Sequence, residues 1–383
     1  MQGAIRWRVQ GIAASAAPTK PGLELRRAIG WRGRRCGFGM SSAKGADGVL
    51  LADVGGTNVR FALADPANVQ PLLADSIRQY HVADFATFTD AARAYLDETG
   101  AHPRSGVFAF AGPVGADEVR MTNHPWAISR SRVRAGLALA SLHFVNDFAA
   151  MSLSIPLLGE QGVRAIGPFG APRVGTSTEQ TFAALGPGTG LGVGALLLRA
   201  GRVFALETEG GHTAFAPRTD EEIEILRRLG ARFGRVSNER VLCGSGMTNL
   251  HQALGEIHGT FAGCLEPEEI TRRAKAGTDA GCERAVELFC ELLGAVAGDF
   301  ALAFGAWNGV YLCGGMTPVL LPWLQRGGFR RRFEDKGRFA AKLAQVPSIA
   351  VIHPYAGLLG AAAFAVQDSG RTIAFHVAPD TET

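Results

Sequence analysis

Two glycine-rich turns, each set between short apolar runs, constrain this 383-residue chain more than any other feature. The first passes from Gly48–Ala52 (GVLLA) through Asp53-Val54-Gly55-Gly56-Thr57-Asn58 into Val59–Ala64 (VRFALA). The second passes from Phe182–Leu185 through Gly186-Pro187-Gly188-Thr189-Gly190-Leu191-Gly192 into Ala195–Leu198. Apolar run, glycine turn and apolar run predict strand, turn, strand, a hairpin in place of a strand–helix unit. The two hairpins follow no short fixed period, so a solenoid is not implied. They suggest two related halves facing each other.

Between and after the turns, strand and helix patterns alternate. Phe88–Leu96 has helical spacing, and Gly106–Ala111 (GVFAFA) predicts a buried strand that ends at Gly112-Pro113. A strand led by His143–Val145 runs into Asn146-Asp147, and helices are predicted over Glu221–Phe233 and Gly281–Phe304. Gly309–Cys313 predicts a strand ending at Gly314-Gly315, Ile349–Ile352 a last strand, and Gly357–Val366 a closing small-residue helix. Alternation of this kind predicts an α/β fold, and the length favours two domains.

Charge excludes one class of partner. Residues 1–39 hold eight basic residues against the single acid Glu24, so a chain of formal net charge +4 is mildly acidic beyond that leader. Such a globule is no nucleic-acid binder by charge. The leader is Arg- and Ala-rich, superficially like a transit peptide. The simpler expectation is a start at Met40, or a disordered tail over residues 1–46. No apolar segment reaches membrane-spanning length without interruption, so no membrane partner is expected. The six cysteines (Cys36, Cys243, Cys264, Cys282, Cys290, Cys313) form no C-x-x-C and read as reduced thiols of a cytoplasmic protein.

The turns carry candidate chemistry. In the first, Gly55 and Gly56 let backbone N–H groups face a phosphate, and Thr57 adds a hydroxyl. Asp53 precedes them and suits Mg²⁺, held through water. The second turn has glycines around Thr189 but no Walker lysine. It lacks the acid a dinucleotide site would need. Paired, two Gly-Thr turns can grip a polyphosphate from both sides. Gly314-Gly315 would permit flat approach of an adenine or ribose. Asn146, Asp147, Glu209, His212 and Glu239 are side chains of the kinds that hydrogen-bond sugar hydroxyls. Taken singly, each also has a structural reading: a hairpin turn, a helix cap at Asp147, a surface pair for Glu239 with Arg240.

In this order, DVGGTN, Asn146-Asp147, GPGTGLG, EGGH (Glu209–His212) and CGG (Cys313–Gly315) resemble the hexokinase–actin–heat-shock ATPase superfamily. Within it the chain is similar to the bacterial glucokinase family, to which Met121–Ser129, Glu239–Gly246 and Phe333–Phe339 also correspond. The resemblance runs from about residue 47 to the C-terminus. It implies a two-domain actin-like, ribonuclease H-like ATPase fold with the active site in the interdomain cleft. A small α/β domain would span 47–157, rejoined by 353–383, and a large α+β domain 158–352. It implies phosphorylation of glucose by ATP with Mg²⁺, as the entry step of glycolysis. Asp147 would be the catalytic base, and Asn146, Glu209, His212 and Glu239 the sugar ligands. ATP would meet Ala52, Asp53, Val54, Gly55, Gly56, Thr57, Gly188, Thr189, Gly190, Gly314 and Gly315. A homodimer stays open.

Two departures bear on the subfamily. The related repressor and kinase group has a cysteine-rich zinc motif after its Glu-Gly-His, whereas TAFAPRTD follows His212 here. Ala52 stands where the family often has glycine, a small change. Other readings are a kinase for another hexose, a non-kinase ATPase, or a sugar sensor. The sensor would need a DNA-binding module that residues 1–39 do not pattern.

Overall fold

The computed structural model of the chain describes residues 48–375 apart from 113, 116, 121–125 and 262. The leader expectation for residues 1–46, Cys36, Pro113 and most of the Met121–Ser129 stretch lie outside these residues.

The chain begins with a meander of strands, β1 (Val49–Val54), β2 (Asn58–Ala64) and β3 (Leu72–His81), followed by helix α1 (Phe88–Thr99). Strand β4 (Ser105–Phe110), a small ribbon of β5 (Glu118–Arg120) with β6 (Ala127–Ser129), helix α2 (Arg130–Gly136), strand β7 (Ser141–Asn146) and helix α3 (Asp147–Ser154) come next. After β8 (Val163–Ala165) a second meander forms from β9 (Glu179–Pro187), β10 (Leu191–Arg199) and β11 (Arg202–Thr208). Helices α4 (Asp220–Phe233), α5 (Gly244–His258), α6 (Pro267–Ala276) and α7 (Ala280–Phe304) precede β12 (Gly309–Leu312). Helices α8 (Thr317–Leu324), α9 (Gly328–Glu334) and α10 (Ala340–Leu343), strand β13 (Ser348–Val351) and helix α11 (Ala356–Asp368) complete the described chain.

The first sheet has the order β3-β2-β1-β4-β7 and the second β11-β10-β9-β12-β13-β8. In each, an antiparallel meander of three strands is extended by two strands parallel to its first member, and in the second sheet β8 then pairs antiparallel with β13 at the edge. The glycine turns are the first hairpin of each meander, as their flanking apolar runs predict.

Side-chain alternation decides what covers each sheet. In β9, Phe182 and Ala184 face a core shared with Leu153 of α3 and Leu359 and Ala363 of α11. Ala183 and Leu185 face the opposite core, with α4, α5 and α7. The first sheet is likewise covered on both faces. Phe61 and Phe108 pack on α1 through Phe88 and Tyr95, and Leu51 and Val107 pack on α11 through Leu358 and Ala362. Strands buried on both faces read as unbroken apolar runs, which is why GVLLA and GVFAFA stand out in the sequence.

Helices α3 and α11 therefore form a layer between the sheets. Their crossing is close: a Cβ at Gly360 of α11 would lie 3.0 Å from Ala150 Cα and nearer still to its carbonyl. Among the described residues, no helix is long and apolar enough to cross a membrane. Cys243, Cys282, Cys290 and Cys313 are buried and free, and Cys264 is exposed.

Candidate active site

Three parallel strands of the first sheet end level. Val54, Phe110 and Asn146 form one row across β1, β4 and β7. The residues beyond that row, Gly55, Ala111 and Asp147, lie past the carboxyl ends of the strands, where an open α/β sheet presents its ligand groups. Asn146 ties the row together. Its Oδ1 accepts from Phe148 N at 2.9 Å and Ala149 N at 3.1 Å, which caps α3, and its Nδ2 donates to Gly112 O at 3.2 Å. One amide proton is left for a ligand.

The capping role foreseen for Asp147 therefore belongs to Asn146. Asp147 follows as the first residue of α3, with Oδ1 accepting from Phe148 N at 2.8 Å. Burial, then the nearby charges of Asp53 and Glu209, push the Asp147 carboxyl up to about 7, against the lowering effect of that hydrogen bond. A carboxyl tuned to neutrality can accept a proton from a hydroxyl and release it again.

Asp53 sits one residue before the row, paired in register with Arg60 of β2. Burial raises its pKa, and Arg60, with Nη1 3.4 Å from Oδ2, lowers it in part. The first turn of α11 is pressed onto this carboxylate, for a Cβ at Gly357 would lie 2.8 Å from Asp53 Cγ. The side chain keeps 20% exposure, enough for a hydrated cation to reach an oxygen.

The second turn is built differently. Gly186 and Gly192 face each other across β9 and β10, and the ring of Phe148 occupies the space their side chains would need. These two glycines serve packing. Gly188, by contrast, has open space at its missing Cβ, as do Gly56 in the first turn and Gly315 in the third. A phosphate or a flat ring can approach the backbone at such points. Gly188 N donates to Gly190 O and Gly244 N donates to Gly188 O, both at 2.8 Å. At the third turn Gly314 has φ +84°, and a Cβ there would crowd Pro187 O at 2.8 Å. The second and third turns thus meet.

Glu239 joins the polar residues to the second turn. Its Oε2 accepts from Leu191 N at 2.9 Å, and its Oε1 lies 3.9 Å from His212 Nδ1. The other ring nitrogen of His212 lies 3.9 Å from Glu209 Oε2. Glu209 and His212 remain well exposed, at 63% and 59%. Arg235 Nη2 donates to His212 O at 2.8 Å and steadies that turn.

The residues singled out from sequence are brought to one region: Asp53, Asn146 and Asp147 at the strand ends, Glu209, His212 and Glu239 beside the second turn, and Gly314 against it. Sequence reasoning missed Phe148, Arg60 and Gly357. The glycine pair flanking Pro187–Leu191 signals a large neighbour, but nothing in the sequence says which. Away from this region, His251, Asp279 and Cys282 place ligand-type atoms within 4.8 Å of one another. Arg273 Nη1 lies 3.6 Å from Asp279 there.

The glucokinase family model matches residues 50–368. The chain belongs to the glucokinase family. It is a sugar kinase, and ATP-dependent phosphorylation of glucose is the reaction of that family. The glucokinase of Xanthomonas oryzae pv. oryzae (strain MAFF 311018) is 54% identical over 318 residues, 83% of this chain and 95% of that protein. The glucokinase of Stenotrophomonas maltophilia (strain K279a) is 54% identical over 317 residues, 83% and 94% of the two chains. Among solved structures, a glucokinase from an Antarctic psychrotroph is 33% identical with a TM-score of 0.74, covering 85% of this chain and all of that one. A glucokinase from Balamuthia mandrillaris in complex with glucose, at 20% identity and TM-score 0.71, covers 85% and 95% and shares the fold. The actin-like ATPase fold expected from the sequence is the fold found.

Proposed function

We propose that Asp147 is the general base in transfer of the γ-phosphoryl group of ATP to the 6-hydroxyl of glucose. The observation that carries this is the Asp147 carboxyl itself. It stands at a strand end, held up to about 7 by burial and by the charges of Asp53 and Glu209. A sugar hydroxyl is a poor nucleophile at neutral pH, and phosphoryl transfer rests on positioning, charge stabilisation and a carboxylate to take the proton.

The remaining roles follow from reach. The free Nδ2 proton of Asn146, with Glu209, His212 and Glu239, binds the sugar hydroxyls. Gly55, Gly56 and Thr57 on one side, and Gly188, Thr189 and Gly190 on the other, line the phosphates. Ala52 and Val54 set the height of the first turn, and Gly314 and Gly315 leave room for the nucleoside. Asp53 would hold Mg²⁺ through water. Bound there, the ion would neutralise charge on the phosphates; the Asp53 side chain keeps 20% exposure, and Arg60 partners its Oδ2.

In this reading residues 47–157 with 353–383 form one lobe and residues 158–352 the other, and sugar binding draws them together to exclude water. The protein works in the cytoplasm. A panel of common hexoses with Mg-ATP, read by product mass, tests the reading. Glucose 6-phosphate is the expected main product. Hydrolysis of ATP with no hexose phosphorylated would overturn it.

A further inference from the structure

The layer between the sheets contains a feature that none of the assigned roles uses. Phe148 follows Asp147 directly, and its ring is seated on the second sheet where Gly186 and Gly192 pair. A Cβ at Gly186 would lie 3.0 Å from Phe148 Cε1, and one at Gly192 would overlap the ring outright. The seat extends along the strand. A Cβ at Gly194, two residues on and so on the same face, would lie 3.0 Å from Ser152 Oγ, one helical turn beyond Phe148. Ser152 Oγ donates to Phe148 O at 2.8 Å. Three glycines thus clear a bed on β9 and β10 for the first turn of α3, on the strands that carry the Gly188–Gly190 turn.

We propose that Phe148 is a positioning residue for catalysis, its ring locking the Asp147 carboxylate in register with the phosphate-facing turn of the second sheet. Asp147 belongs to a helix capped by the first sheet through Asn146 and Gly112. The phosphate turn belongs to the second sheet. The ring in its slot is a side-chain contact of that first turn with the second sheet. A planar side chain fits between two strands with no Cβ on either side, and shape complementarity of this kind admits one position of the helix. Phe148 is the residue next to Asp147, and burial is the largest contribution to that carboxyl's raised pKa.

This inference rests on Asp147 being the base, and the test separates the two. Phe148→Leu, Phe148→Ala and Asp147→Asn are compared in the full chain by kcat, glucose KM and the acidic limb of the kcat–pH profile. Misplacement of a reacting group by about 1 Å can cost up to about 10²-fold in rate, so kcat of Phe148→Ala should fall by about tenfold or more. Glucose KM should stay within about threefold, because ground-state binding is not what the ring supplies. The acidic limb should move to lower pH as water reaches Asp147. Phe148→Leu, which keeps an apolar filling, should recover part of the loss in both readouts. Turnover in Phe148→Leu within about twofold of wild type, with the limb unmoved, overturns the inference, whatever the melting temperature does. That variant decides alone if Phe148→Ala does not fold. Near-normal turnover in Asp147→Asn would instead sink the base assignment. An inactive Asp147→Asn beside a normal Phe148→Leu would sink only the role of the ring.

Discussion

Phe148 and Gly192 compete for one space: a methyl group on Gly192 would overlap the ring that Phe148 lays between β9 and β10. The glycine is therefore a packing residue in a motif that otherwise reads as a phosphate turn. Gly192→Ala should destabilise the fold by about 1–3 kcal/mol, the usual cost of overpacking a well-filled site. Urea unfolding at neutral pH measures this. Gly188→Ala, made where the missing Cβ has open space, should leave stability within about 0.5 kcal/mol. Equal losses in the two variants would contradict the distinction.

Asp147→Asn should lower kcat by about 10²–10⁴ while glucose still binds. In the wild type, turnover should fall as pH drops below about 7, where the carboxyl protonates. The same shift has a stability consequence of defined sign. The folded pKa is raised from the ordinary 3.8, so the group's stabilising contribution is complete below that value and is lost as pH rises through about 7. Above pH 7 the Asn variant should melt no lower than wild type, and any advantage should vanish near pH 4. Scanning calorimetry at both pH values checks this, and a much lower melting point at pH 8 would contradict it.

Gly357 gives Asp53 its room. A Cβ there would lie 2.8 Å from Asp53 Cγ and 2.9 Å and 3.0 Å from its oxygens. Gly357→Ala should push the carboxylate aside and raise the Mg-ATP requirement by about tenfold, the order seen when a metal ligand loses its support. Glucose KM should change little. Initial rates over a matrix of the two substrates distinguish these effects. Parallel rises in both KM values would point to general disruption.

Glu222 at the start of α4 and Arg332 in α9 form a buried pair, Nη1–Oε1 2.5 Å and Nη2–Oε2 3.2 Å. Burial pushes the Glu222 carboxyl up, but Arg332 and the Arg218 N–H outweigh it and hold it below the usual range. Its contribution is therefore present above the ordinary glutamate pKa and is lost as pH falls through the lowered folded value. Arg332→Met leaves the carboxylate buried and unpaired and should cost about 3–5 kcal/mol at pH 7. The deficit should shrink in acid, where Glu222 can protonate. Urea titrations at pH 7 and pH 4 read both effects. A loss under about 1 kcal/mol at pH 7 would show that the pair is not what joins these helices.

Much of the fold is legible in the sequence. The runs GVLLA, GVFAFA and GVYLC are apolar throughout because both faces of their strands are buried, and their boundaries differ from the observed ones by one or two residues, whereas Phe182–Leu185 and Ala195–Leu198 fall short of β9 and β10 by up to four. Strand β3 was missed because it is a half-exposed edge of the first sheet, where no buried face imposes a pattern. Strand β11 was missed for the same reason, with Phe204 and Leu206 exposed.

The proposed chemical inventory also came from sequence, because the residue types proposed for phosphate turns and sugar ligands stand in short local runs. Asp53 before two glycines and a threonine, and Asn146 before Asp147, carry that information within a few positions. What local sequence could not decide was which groups touch across the chain. That Gly186 and Gly192 exist for Phe148, that Gly357 exists for Asp53 and that Glu239 holds Leu191 N are contacts between distant segments. Each depends on where two sheets and the helices between them come to rest. The reason is physical: a missing Cβ records that something comes close, and only the packed tertiary structure determines what that is.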